Sequence, residues 1–83
     1  MQRSTVSDPD RCRATAARYA RLAGLSENAD VRRAYLEIES LWLEAAAWTE
    51  RLRLDDNPAA RQRLYDLVDA SGARLREITP RLH

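Results

Sequence analysis

The chain has 83 residues, enough for one small domain with a limited core. Its 14 basic and 13 acidic residues nearly cancel, giving a formal net charge of +1, and 45% of its residues are hydrophobic. A charge so close to zero argues against intrinsic disorder, and no stretch approaches the roughly 20 apolar residues of a membrane span. We therefore predict a single folded domain over residues 1–83, with residues 1–6 frayed.

Cysteine usage and the N-terminal composition predict a soluble protein of the cytoplasm. Cys12 is the single cysteine, which excludes an internal disulfide and a site with several cysteine ligands. Residues 1–25 lack the apolar core, of about 7–15 residues, that a signal peptide requires.

The first predicted helix spans residues 9–24. Ser7 or Asp8 is the expected N-cap, because a short polar side chain accepts hydrogen bonds from the first N–H groups. Pro9 suits the first turn of a helix. Gly24 is expected to end the helix as a residue in the left-handed conformation.

The second and third predicted helices span residues 29–54 and 58–79. Asn28 and Asn57 are the expected caps, and Pro80 ends the third helix because the residue before a proline avoids the helical conformation. The breaks between helices are short, which makes consecutive helices antiparallel neighbours. The prediction is an all-α fold, a three-helix antiparallel bundle with short loops.

The second helix carries apolar residues on two sides of its helical wheel. A broad face, about 140° wide at 100° per residue, comprises Val31, Ala34, Tyr35, Ile38, Leu41, Trp42, Ala45, Trp48, Thr49 and Leu52. A narrower stripe on the other side comprises Leu36, Leu43, Ala47 and Leu54. Two stripes predict two packing partners and make the second helix the central one. Whether the third helix or another subunit covers the narrower stripe stays open.

The third helix carries a heptad seam, formed by Leu64, Val68, Ser71, Leu75, Ile78 and Leu82. A helix of this length favours a bundle seam over a long coiled coil. Gly72 follows Ser71 and leaves two alternatives, a continuous helix and one that breaks into two.

Aromatic residues mark the broad face of the second helix. Trp42 and Trp48 lie at its edges, and Tyr35 lies beside Trp42. Such residues anchor cores, and they are also favoured at protein interfaces. Together with Leu36, Leu43 and Leu54, these three aromatics are the candidate interface residues.

The first helix has a basic face formed by Arg11, Arg13, Arg18 and Arg21. Residues 1–26 carry a net charge of +3, whereas residues 27–56 carry −4, counted from the sequence. The arginines can bind phosphates of a nucleic acid, or they can face the acidic second helix.

The sequence offers no converging set of polar groups for catalysis. His83 is the single histidine and stands at the end of the chain, so neither a catalytic pair nor a metal site has a rigid frame. Cys12 lies on the apolar side of the first helix, which favours packing, although its arginine neighbours leave a reactive thiol as an alternative. We expect no enzyme, no metal and no cofactor.

Residues 11–52 contain a recurring pattern: Cys-Arg near the start of one helix, Leu-Ala near its end, then Arg and Trp in a second helix, carried by Cys12, Arg13, Leu22, Ala23, Arg32, Leu36 and Trp42. In this pattern the chain resembles a group of small bacterial helical-hairpin proteins without an assigned activity. Ala29 departs from that pattern, where a proline is usual, and the third helix is an addition. The resemblance implies a helical hairpin and carries over no functional residue.

The predicted function is a protein–protein interaction module. It self-associates, with a homodimer as the expected state, or binds another protein through the apolar faces of the second helix. The alternative is a small nucleic-acid-associated regulator that uses the basic face of the first helix.

Overall fold

A computed structural model describes residues 8–82 of the chain. Its helices are α1 (Pro9–Leu25), α2 (Ala29–Leu54) and α3 (Pro58–Ile78), followed by a short 3-10 helix over Thr79–Leu82. The predicted all-α, three-helix antiparallel bundle with short loops is confirmed. The expectation that residues 1–6 are frayed lies outside the described residues.

Each helix begins where the sequence predicts, because each is preceded by a capping side chain. Asp8 accepts a hydrogen bond from the N–H of Asp10 at the start of α1, and Ser7, the other candidate cap, lies outside the described residues. Asn28 Oδ1 accepts hydrogen bonds from the N–H groups of Asp30 and Val31 at 2.8 and 3.1 Å. Asn57 does the same at the start of α3. These bonds satisfy N–H groups that have no partner inside the first turn.

The predicted role of Gly24 at the end of α1 is wrong. The helix continues through Gly24 to Leu25, and no glycine among the described residues has a positive φ. The chain leaves the helix at Ser26, whose backbone is extended (φ −83°, ψ 131°) and whose N–H donates to the carbonyl of Ala23. Since this bond satisfies a terminal carbonyl, no left-handed residue is needed.

The α3 helix is continuous through Gly72, so the alternative of two shorter helices is wrong. Its α-helical part ends at Ile78, one residue before the predicted boundary, and the backbone then tightens into the 3-10 helix. Pro80 lies in that segment and lacks the N–H group that would continue an α-helix.

Both α1 and α3 pack against the broad face of α2. The first core cluster, nearest the start of α2, contains Ala23, Val31, Ala34, Tyr35, Ile38 and Ile78. The second core cluster, towards the other end, contains Cys12, Ala45, Ala46, Leu64 and Leu67. Trp42 packs against both clusters. The bundle measures 41 × 22 × 19 Å, and α2 runs along its long axis for about 39 Å.

Candidate protein-interaction surface

The narrower apolar stripe of α2 is not covered by the described part of the chain. We call Leu36, Leu43, Ala47 and Leu54 the outward stripe. Leu36 is 48% exposed, Leu43 is 49% exposed and Leu54 is 89% exposed. The predicted pair of helical neighbours is present, but both share the broad face. Of the two alternatives for the narrower stripe, coverage by the third helix is therefore wrong for the described residues, and coverage by another subunit stays a prediction.

The reason for this arrangement lies in the size of the two faces. The broad face supplies most of the buried residues of α2, including Ile38 and Thr49, which are among the largest fully buried side chains. Apolar burial contributes roughly in proportion to area, so the wider face accepts both neighbouring helices before the narrow one accepts either. The outward stripe is left facing solvent.

Ion pairs connect α1 and α3 to the two edges of α2. On the α3 side, Arg63 donates to Glu44 at 2.9 Å, and Arg74 binds Glu37. On the α1 side, Glu50 accepts a hydrogen bond from Arg13. These side chains are mostly about half exposed, so solvent screening leaves each pair little effect on stability. Their effect is to fix the charged borders of the outward stripe.

The aromatic candidates divide between the core and the surface. Tyr35 is only 7% exposed, and its ring contacts Tyr19 with centroids 5.8 Å apart. Trp42 is partly buried, and its indole N–H donates to Ser71 Oγ at 2.8 Å. Tyr35 therefore belongs to the core. We remove it from the candidate interface because its side chain is already buried within the chain. For Trp42 most of the ring serves the core as well.

Trp48 is the aromatic candidate with an exposed neighbourhood. The Arg51 guanidinium lies 4.9 Å from the centre of the Trp48 ring, a cation–π geometry. An open groove of about 400 Å³ runs beside them, lined by Trp48, Arg51, Leu54, Asp55, Asn57, Ala59 and Ala60. No sequence pattern predicts this groove, because it forms where the end of α2 meets the start of α3. It extends the apolar surface from Leu54 around the end of the molecule.

Of the four arginines predicted to form the basic face of α1, three agree with that prediction. Arg11, Arg18 and Arg21 are exposed, and no carboxylate within residues 8–82 forms an ion pair with them. Arg13 instead turns to Glu50 and Asp10. The hydrogen bond to Glu50 raises the pKa of Arg13 above its usual value. The alternative in which the basic helix faces the acidic one therefore holds for Arg13.

Cys12 is fully buried in the second core cluster. Burial raises the pKa of its thiol, the Asp8 carboxylate raises it further, and Arg13 acts in the opposite direction. A thiol in this environment stays protonated at neutral pH, which is the opposite of what a nucleophile needs. Across the described span, no three His, Cys, Asp or Glu side chains are grouped as metal ligands. His83 lies outside the described residues.

No protein-family model, curated protein or solved structure matches this chain. The resemblance of residues 11–52 to bacterial helical-hairpin proteins therefore stays a prediction from the sequence. None of the helices in the described region is long and apolar enough to cross a membrane.

Proposed function

We propose that this protein is a non-enzymatic helical interaction module, cytoplasmic in location, whose outward stripe binds protein. The first candidate partner is a second copy of the chain. One observation carries the proposal: a line of leucines runs along the central helix on the side opposite the core and remains exposed. Linear apolar stripes of this kind are what helices present to partner helices.

Burial of the outward stripe against a partner contributes favourable free energy by removing apolar surface from water. Leu43 lies in the middle of α2 and is already half buried by its own helix and its neighbours. Removing the other half of its surface from water contributes about 1 kcal/mol per chain. A charge placed there opposes association, because a buried unpaired carboxylate is costly.

The test is mass in solution, measured by light scattering after size-exclusion chromatography over about 10–500 μM, a range suited to weak association. We expect the wild-type mass to rise with concentration from 9.5 kDa towards a dimer. Leu43→Glu should remain monomeric with unchanged helical content. Tyr65→Glu is the matched control, because Tyr65 is an exposed apolar residue of similar exposure (47%) on α3. It should associate as the wild type does.

A wild-type mass that stays at 9.5 kDa throughout removes self-association and leaves a different protein as partner. That case is decided by a photo-cross-linking residue placed at position 43 in cells, with position 76 on the exposed face of α3 as control. Protein adducts specific to position 43 support an interaction module. Their absence, together with a monomeric mass, contradicts it.

A second candidate function rests on Arg11, Arg18 and Arg21. Three exposed arginines on one helix can neutralise phosphates of a nucleic acid. If all three contact DNA, the slope of log K against log salt concentration should be about −2.7. A triple variant should abolish binding; it carries Arg11→Gln, Arg18→Gln and Arg21→Gln. If the wild-type protein binds no labelled DNA or RNA at low salt, this function is contradicted.

A further inference from the structure

The outward stripe, together with Ser40 and Glu50, forms a heptad seam along α2. Leu36, Ser40, Leu43, Ala47, Glu50 and Leu54 follow one another at intervals of four, three, four, three and four residues, and all six are exposed. Such spacing keeps one line of side chains facing a partner helix along its whole length. The seam covers about 27 Å of the helix. A second helix is therefore the occupant whose shape fits it.

Glu50 determines how a second copy of α2 can lie on this seam. It is the single charged member of the seam. In a parallel pair, Glu50 would lie directly opposite Glu50 of the second copy, so two carboxylates, each bound by Arg13 of its own chain, would meet in the interface. In an antiparallel pair with Leu36 opposite Leu54, Glu50 lies opposite Ser40. The two Glu50 residues are then about 15 Å apart along the axis.

The charges beside the seam favour the same orientation. Glu37 and Glu39 flank the first half of the seam, whereas Arg51 and Arg53 flank the second half. Residues that flank an antiparallel seam meet their counterparts from the opposite half of the partner. Glu37, which Arg74 of its own chain also binds, then lies near Arg51 of the second copy. Glu39 lies near Arg53 of the second copy, and symmetry repeats both contacts.

Glu44 is the charged flanking residue that meets its own counterpart near the two-fold axis. Its carboxylate is already bound by Arg63 of the same chain at 2.9 Å, which offsets that repulsion. A parallel pair would instead bring Glu39 next to Glu44 of the second copy, again on both sides. The antiparallel register therefore has the better balance of charges.

We propose that the occupant of the outward stripe is a second copy of this chain, lying antiparallel, with Leu36 against Leu54 and Leu43 against Ala47 of the second copy. This inference rests on the proposed function and names its partner and geometry. The dimer has a four-layer order, in which the two α2 helices lie inside and each chain's own α1 and α3 lie outside.

Disulfide trapping tests the register. In a Cys12→Ala background, Ser40→Cys and Glu50→Cys are made as two separate proteins, then oxidised alone and as a mixture. A disulfide requires Cα atoms within about 7 Å. The mixture should give the cross-linked heterodimer, identified by intact mass, at least about tenfold faster than Ser40→Cys alone, because position 40 lies about 15 Å from its own counterpart.

Two results overturn the proposal. Ser40→Cys that cross-links alone as fast as the mixture indicates a parallel pair. A chain that stays monomeric but forms adducts with another protein at position 43 contradicts this inference and leaves the proposed interaction function standing.

A charge swap provides a second test in the wild-type Cys12 background. Glu39→Arg alone and Arg53→Glu alone should each weaken dimerisation about fivefold to tenfold, since attraction becomes repulsion at two symmetric contacts. The double variant Glu39→Arg/Arg53→Glu should restore it. Arg76→Glu, on the exposed side of α3, is the control and should have no effect. If the double variant dimerises no more tightly than the single variants do, the proposed register is wrong.

Discussion

Ser71 is a polar residue buried between α2 and α3, where its hydroxyl accepts the indole N–H of Trp42 at 2.8 Å. Ser71→Ala removes that acceptor and leaves a part-buried donor without its partner. We expect the free energy of unfolding to fall by about 1–3 kcal/mol, measured by chemical denaturation. Ser40→Ala is the control, measured at low concentration where the chain is monomeric and Ser40 is exposed, and it should change stability by less than about 0.5 kcal/mol. Equal effects of the two substitutions would contradict a stabilising role for this bond.

The buried thiol of Cys12 makes stability depend on alkaline pH. Its pKa is raised from the usual value of 9.0, so the folded state holds the proton more tightly than the unfolded state does. The contribution is fully present below pH 9.0 and is lost as pH rises towards the higher pKa of the folded state. In that window the free energy of unfolding should fall by at most about 1.4 kcal/mol per pH unit more than in Cys12→Ala.

The comparison with Cys12→Ala isolates the thiol, because the arginines and tyrosines of the two proteins are the same. Stability curves measured by urea denaturation between pH 7 and pH 10.5 provide the test. Parallel curves for the two proteins would show that the thiol ionises equally in the folded and unfolded states.

At the scale of helices, Gly72 lies in the interior of α3 without a conformational need for glycine. A Cβ built there meets Arg76 Nη1 at 3.6 Å, an ordinary van der Waals contact with a flexible side chain. Gly72→Ala should therefore raise the free energy of unfolding by about 0.5–1 kcal/mol, because alanine favours the helix. Thermal unfolding followed by circular dichroism measures this. Gly24→Ala, in the last turn of α1 with open space around it, should give a smaller gain. A destabilised Gly72→Ala would mean that α3 and its neighbours cannot accommodate a methyl group.

Helix starts were predictable because their signals are local. Asn28 and Asn57 stand immediately before their helices, and the bonds that they accept come from residues two and three positions later. The end of α1 was not predictable in the same way. Gly24 is compatible with a left-handed end, but Ser26 can cap the helix in an extended conformation, and sequence alone does not rank the two.

At the scale of the whole molecule, the broad face and the outward stripe differ in what they contribute to folding. Ile38 is fully buried, whereas Leu43 is half exposed. Ile38→Ala should cost about 2–5 kcal/mol of unfolding free energy, through lost burial and the cavity that remains. Leu43→Ala should cost much less when measured at low concentration, where the chain is monomeric. Similar losses by chemical denaturation would place Leu43 in the core and remove the basis for the interaction surface.

The candidate surface could be predicted from sequence only in part. The wheel of α2 identifies Leu36, Leu43 and Leu54 as a separate stripe, since helical periodicity is a local property. It does not say which stripe α1 and α3 choose, because that depends on the total area buried by three helices at once. For the same reason the wheel does not show that Tyr35, a candidate interface residue, packs against Tyr19 in the core.

The position of Trp42 has a consequence for how the bundle comes apart. Its ring packs against both core clusters, one nearer each end of α2, and no other described residue packs against both. Loosening one end disturbs the packing of this ring and so weakens the other end. We therefore expect the thin, alanine-rich interior to unfold as one cooperative unit.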